Sequence, residues 1–306
     1  MFYDTLTHLK NNKRKTGLEI ALDTYLMDCR ARRLSPSTLV HYREQLLPFL
    51  RFVGEFGVIT PGTVTGHHIR AYLVSLQERG LKDTSQHAAA RPIRAFFNFL
   101  VREEVIDVSP MRNVQMPRLA KRIMPAFTKE EVEKLLDTCT HLRDKAMILC
   151  LIDSGCRSSE FTALRVEDVD MRAGIIRIKN GKGGKDRITY IGAKARKVLL
   201  RYLLERGEVA PIDPLWISFN TGKGLTHYGL RLILHRLGKR ADIQPCSPHV
   251  FRRTCALWSL RAGMNIFALQ QMMGHTDLTT LQRYLALVEA DLEQAHRSHG
   301  AVDNMM

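Results

Sequence analysis

His249 and Arg252 stand three residues apart, so on a helix they project from one face. Gly274-His275 follows, and Tyr284 lies nine residues beyond His275. Upstream, Gly155-Cys156-Arg157-Ser158-Ser159-Glu160 supplies a second arginine with a carboxylate three residues on. Phosphate is the target these residue types share. Arginine grips phosphate oxygens at two points, histidine donates to them or moves protons, and a tyrosine hydroxyl can attack phosphorus.

Each element also has a plainer reading by itself. Arg157 and Glu160 would make a surface ion pair, or a buried arginine held by the glutamate. His249 would be a solvated residue on a capped helix, His275 a structural residue behind a helix-ending glycine, and Tyr284 a core or interface tyrosine. The run Asn180-Gly181-Lys182-Gly183-Gly184-Lys185, flanked by Lys179 and Arg187, reads as a solvated hairpin turn or as a lysine-tipped finger. Such a finger would reach a phosphate or leaving oxygen, because a desolvated lysine shifts its pKa readily. The run lacks the G-x-x-x-x-G-K-[ST] spacing of a nucleotide-phosphate loop. His249 and His275 have no companion ligands at metal-binding spacing, and no G-x-S-x-G appears, so neither a metal site nor a serine hydrolase is expected.

The elements that must hold these residues follow from pattern. Apolar positions recur with helical period from Leu18 to Val105, in four helices: one from Leu18, then Thr38 to Phe56 behind Ser35-Pro36, His67 to Gln77, and Asp83 to Arg102. Four helices in that length make a small bundle. Pro110, Pro117 and Pro125 oppose helix, and Arg112, Arg118, Lys121 and Arg122 make the same stretch basic. A basic linker suits a chain that wraps DNA, and a solvated spacer has the same composition. A capping box, Thr128 with Glu131, opens the second half. Helices are expected at Glu130–Cys139, Leu142–Asp153, Ala193–Glu205, Thr226–Ala241, His249–Ala262 and Ile266–Met273, with strands at Gly174–Lys179 and Asp186–Ile191. Gly155 ends the helix before Arg157, Ser247-Pro248 caps and opens the helix of His249, and Gly274 stops the helix before His275. The expected fold is mainly α: a four-helix domain, then a mostly helical domain with a small antiparallel sheet. The expected divisions are a basic arm at 1–17, the bundle at 18–106, a linker at 107–125 and the second domain at 126–306.

Lys and Arg number 46 against 31 Asp and Glu, a formal charge of +15 that favours a polyanionic partner, nucleic acid before anionic membrane. The six cysteines are scattered without a C-x-x-C, as in a reducing compartment. No apolar run reaches the roughly 18 residues of a membrane span, and the basic N-terminus lacks the apolar segment of a signal peptide. A cytoplasmic location is expected.

Taken in order, Gly155-Cys156-Arg157-Ser158-Ser159-Glu160, Gly181-Lys182-Gly183-Gly184-Lys185-Asp186-Arg187, His249-Val250-Phe251-Arg252, Gly274-His275 and Tyr284 resemble the catalytic domain of the tyrosine site-specific recombinases, the phage integrase family with its Xer-type members. The helical first domain resembles that family's core-binding (SAM-like) domain, so the resemblance covers about residues 18 to 295. It implies that Tyr284 attacks a scissile phosphodiester to give a 3′-phosphotyrosyl link. Arg157 and Arg252 would hold the non-bridging oxygens, and Lys182 would protonate the departing 5′-oxygen. His249 would assist proton transfer, His275 would hydrogen-bond the phosphate, and Glu160 would support Arg157 and the neighbouring histidine. Lys179, Lys185, Arg187, Arg118, Lys121 and Arg122 are expected to contact DNA. No metal or other cofactor is implied.

The implied partners are a double-stranded DNA recombination site, three further copies in a homotetramer on two sites, and a possible partner recombinase. The segment from Leu285 to His296 is amphipathic enough to dock on a neighbouring copy. Alternatives are a type IB-like DNA relaxase and a catalytically silent DNA-binding protein on the same fold. Chromosome-dimer resolution is not separated from integration of phage or other mobile elements, although the early start of the helical domain favours a simple recombinase. Departures from the family pattern are Cys156 in an aliphatic position, Thr189 in a proline position and the extra Arg253.

Overall fold

The computed structural model describes residues 15–117, 125–179 and 186–274. The chain divides into two compact units, Met1–Arg122 and Ile123–Met306. The described residues form eleven α-helices and a three-stranded antiparallel sheet, so the expected mainly helical fold is present.

The first unit packs α1 (Gly17–Ala31), α2 (Pro36–Glu55), α3 (Gly66–Glu78) and α4 (Asp83–Arg102). Thr16 and Glu19 form a capping box on α1, and the Ser35 hydroxyl accepts from Thr38 N–H at the start of α2. Leu22, Phe49, Ile69, Phe96 and Phe97 meet in one core. Phe49 stands edge-on to both Tyr72 and Phe97, at 5.3 and 6.2 Å between ring centres. The stretch after α4, expected to begin a linker, is partly drawn into this core: Met111 and Val114 are buried. Their apolar side chains gain more from burial than an extended spacer would offer. The first unit therefore runs beyond the expected boundary at residue 106.

The second unit begins with α5 (Lys129–Asp137), entered through the expected box: Glu131 N–H donates to the Thr128 hydroxyl, and the Glu131 carboxylate accepts from Thr128 N–H. Then come α6 (Leu142–Ser154), the short α7 (Ser158–Ala163), β1 (Val169–Asp170), β2 (Ile175–Ile178) and β3 (Arg187–Tyr190). The last four helices are α8 (Ala193–Arg206), α9 (His227–Ala241), α10 (Pro248–Arg261) and α11 (Ile266–Met273). The strands are ordered β1-β2-β3, one strand more than the sequence pattern predicts. In β2 and β3, Ile176 pairs with Thr189 and Ile178 with Arg187. Ile176, Ile178 and Thr189 are buried, so this face of the sheet is the inner one and Arg187 points the same way. The Thr189 hydroxyl donates to the Ser154 carbonyl at 2.7 Å, tying β3 to the end of α6. A proline there could not make that bond. The buried α6, with Ala146, Met147, Ile148, Cys150 and Leu151 all inside the core, is the post against which the site is built.

Candidate active site

Two glycines set the frame. Gly155 ends α6 in the left-handed region, at φ +57°, and Gly274 ends α11 at φ +63°. Both are the helix stops expected from sequence. After Gly155 the chain turns at once into α7. Arg157 takes its N-cap position with extended backbone, as expected for a residue that opens a helix.

Glu160 gathers this turn. Its Oε2 accepts from the Arg157 backbone N–H at 2.8 Å and its Oε1 from the Arg157 guanidinium at 2.9 Å. Arg187 then grips the same carboxylate with both terminal nitrogens, at 2.9 and 2.7 Å. Glu160 is nearly closed off, with 6% of its side chain exposed, against 25% for Arg157 and 10% for Arg187. Burial alone would raise the carboxyl pKa. The Arg187 bonds, the Arg157 N–H and the Arg157 guanidinium outweigh it and bring the value down to about 2. The pair is thus a held, half-buried arginine rather than a loose surface contact. No histidine is among the partners described for Glu160.

Arg252 lies in the second turn of α10 and is buried. Its guanidinium donates to the Gly155 carbonyl and, at 2.7 Å, to the Met273 carbonyl. Burial, then repulsion from Arg157, lowers its pKa to about 10, which still leaves it cationic at neutral pH. The end of α11 is consequently read by three arginines in succession: Met272 accepts from Arg187 at 3.1 Å, Met273 from Arg252 at 2.7 Å, and Gly274 from Arg157 at 2.7 Å. Three guanidiniums and one carboxylate share this cluster. Cations suit the negative end of a helix, and the surplus positive charge suits an anion. Gly274 is also required sterically, because a β-carbon there would sit 2.9 Å from Arg187 Cδ.

His249, one turn before Arg252, is exposed at the start of α10. Partial burial, then Arg253, Arg252 and Arg231, lower its pKa, so the imidazole is neutral and able to take a proton at neutral pH. Pro248 opens α10 as expected, but Ser247 sits at the N-cap without a side-chain capping bond. Lys179, expected to contact DNA, has a nearer engagement: its ammonium lies 2.7 Å from Asp168 and 3.2 Å from Glu167. Those acids precede β1, the strand the sequence pattern did not show. Arg187, likewise expected on DNA, is folded into the Glu160 cluster. The remaining expected site residues, Lys182, Lys185, His275, Tyr284, Arg118, Lys121 and Arg122, lie outside the described residues, as does the segment from Leu285 to His296. All six cysteines are free and buried, and burial pushes the Cys156 thiol up to about 11, so it carries no thiolate beside Arg157.

A helical first unit and a mostly helical second unit with a small sheet, carrying three arginines at the end of α11, match enzymes that break and rejoin DNA strands. The second unit matches the model of the phage integrase family over residues 125–290, and the first matches the phage integrase N-terminal SAM-like domain over 22–104. The chain belongs to the phage integrase family, and its relatives make it a tyrosine recombinase. It is 33% identical to the tyrosine recombinase XerD of Halalkalibacterium halodurans over 276 residues, covering 87% of this chain and 92% of that one. It is 32% identical to the tyrosine recombinase XerC of Oceanobacillus iheyensis over 295 residues, covering 92% and 96%. Among solved structures, XerA recombinase matches with a TM-score of 0.52 at 27% identity, covering 92% of this chain and 99% of that one. The Tn1549 transposon integrase in complex with a circular intermediate DNA shares the fold, with a TM-score of 0.72 at 19% identity over 90% and 99% of the two chains. The relaxase and the silent DNA-binding protein are not favoured by these relatives. No described helix is long and apolar enough to cross a membrane.

Proposed function

We propose that this chain recombines double-stranded DNA at a specific site with Tyr284 as its nucleophile. The Tyr284 oxygen attacks the scissile phosphorus, the bond to the 5′-oxygen breaks, and a 3′-phosphotyrosyl link forms. Arg157 and Arg252 bind the non-bridging oxygens as charge builds in the transition state. Lys182 gives its proton to the departing 5′-oxygen, and His249, neutral at working pH, takes part in moving the tyrosine proton. His275 hydrogen-bonds the phosphate, and Glu160 keeps Arg157 in place. Attack by the freed 5′-hydroxyl of another strand reverses the step, so the energy of the phosphodiester is retained.

The observation that carries this reading is the cluster around Glu160. Two guanidiniums, those of Arg157 and Arg187, share one carboxylate, Arg252 joins them at the negative end of α11, and Arg157 binds the very peptide that joins Gly274 to His275. Lys185, Arg118, Lys121 and Arg122 would add contacts to the DNA backbone. The reading divides the chain into the bundle that grips DNA, a basic connection and the catalytic domain, with a homotetramer on two sites as the working assembly and a second recombinase as a possible partner. The cytoplasm is the matching location. The Xer relatives favour resolution of chromosomes over movement of a mobile element.

The test uses a nicked duplex carrying the site recovered by footprinting genomic fragments bound to the protein. Wild type forms a covalent protein–DNA adduct and Tyr284→Phe forms none. An adduct of undiminished yield with Tyr284→Phe would sink the assignment.

A further inference from the structure

Arg187 stands out because its donors are directed inward. Two nitrogens hold Glu160, at 2.9 and 2.7 Å, and Nε donates to the Met272 carbonyl at 3.1 Å. Gly274 lies against its side chain, within 3.2 Å of the guanidinium carbon for any added β-carbon, and only 10% of the Arg187 side chain is exposed. A basic residue beside a lysine-rich hairpin ordinarily faces the nucleic acid. This one faces the protein, from the inner side of β3, paired with Ile178.

We propose that Arg187 is a positioning residue for strand cleavage, setting Arg157 through Glu160 and fixing the end of α11 against the sheet. The proposal rests on the reading that Arg157 binds the scissile phosphate. Glu160 accepts four hydrogen bonds, two from Arg157 and two from Arg187. Without the Arg187 pair the carboxylate keeps only the two bonds from Arg157 itself, and the Arg157 guanidinium loses the outside clamp that fixes the plane of its partner. Lysine is a poor substitute, since one ammonium cannot span both carboxylate oxygens and a carbonyl. Arg187 also begins the strand that leaves the hairpin of Lys182, so a single side chain ties that strand, the Arg157 turn and the helix before His275 to one carboxylate.

The experiment compares wild type, Arg187→Lys, Arg187→Gln, Glu160→Gln and the Glu160→Gln/Arg187→Gln double variant as full chains. Two quantities are read on the nicked duplex: affinity with its salt dependence, and the single-turnover rate of adduct formation at saturating protein. The expected result is an adduct rate at least about tenfold slower in both Arg187 variants, the size of effect that misplacement of a catalytic group produces. Affinity and salt slope stay as in wild type, and the double variant is no slower than the slower single one. Three results overturn the proposal: a wild-type adduct rate, weaker binding with a salt slope shallower by about one and an unchanged saturated rate, or losses that multiply in the double variant. Thermal melting identifies a variant that fails to fold, and if Arg187→Gln does so, Arg187→Lys, which keeps the charge, decides. Tyr284→Phe runs alongside: an adduct there strikes the nucleophile assignment and leaves the Arg187 comparison readable.

Discussion

Gly155 and Cys255 touch across the α6–α10 junction: a β-carbon on the glycine would lie 2.9 Å from the cysteine sulfur. The glycine also holds a left-handed backbone, and its carbonyl takes the Arg252 guanidinium. Gly155→Ala therefore meets two penalties, backbone strain of about 1–2 kcal/mol and an overlap in a tightly packed place. In urea denaturation the variant unfolds at lower urea, and adding Cys255→Ala recovers the overlap part, so the double variant is less destabilised than the sum of the two.

Removing the Glu160 side chain leaves Arg187 buried without its charge partner. Glu160→Ala should cost on the order of 3–5 kcal/mol, the usual penalty for breaking a buried ion pair from one side. Glu160→Gln keeps shape and should cost less. Both are measured by chemical denaturation monitored through Trp216, which is buried in the same core.

The same carboxylate gives a signature in acid. Its folded pKa of about 2 lies below the ordinary 4.5, so the folded chain stays ionised while the unfolded chain takes up a proton. This contribution to stability is complete above pH 4.5 and is lost as pH falls towards 2. Denaturation midpoints followed from pH 6 downwards (~6, where neighbouring carboxylates are still ionised) should fall less steeply in Glu160→Gln than in wild type.

Arg253 lies next to Arg252 and bears on His249 from the same helix. Repulsion from a neighbouring cation disfavours the imidazolium, so Arg253→Gln raises the His249 pKa towards its ordinary value of 6.5. Partial burial, the larger cause, keeps it from arriving there. NMR titration of the His249 ring proton reads the shift, and an unchanged midpoint would show that Arg253 does not act on it.

Local signals in the chain were enough to read its helix ends. Thr128 with Glu131, Ser35 before Pro36, Gly155 and Gly274 all act over four residues or fewer, and the structure carries each of them. What stayed hidden depends on distant partners. Arg187 finds Glu160 across 27 positions and Met272 across 85, so from its neighbours it looked like one more basic residue on a hairpin. Lys179 looked free because Asp168, its acid, is eleven residues away. β1 has two residues, too few for alternation to register. Ser247 had the right type and place for a cap, but its hydroxyl goes unused in that role. Met111 and Val114 stand among prolines that signal a linker, and only the distant core that takes them in marks them as buried.

The acceptors that hold Arg157, Arg187 and Arg252 at the end of α11 are peptide oxygens of residues 272, 273 and 274. A peptide oxygen is present whatever side chain the codon specifies. Drift at position 272 leaves its acceptor in place, whereas an anchor built from a side-chain amide would vanish with one nucleotide change. Heritable vulnerability then concentrates in Glu160 and the two glycines. Random mutagenesis scored for recombination should find position 272, which supplies only its accepting carbonyl to the cluster, permissive and those three positions nearly closed.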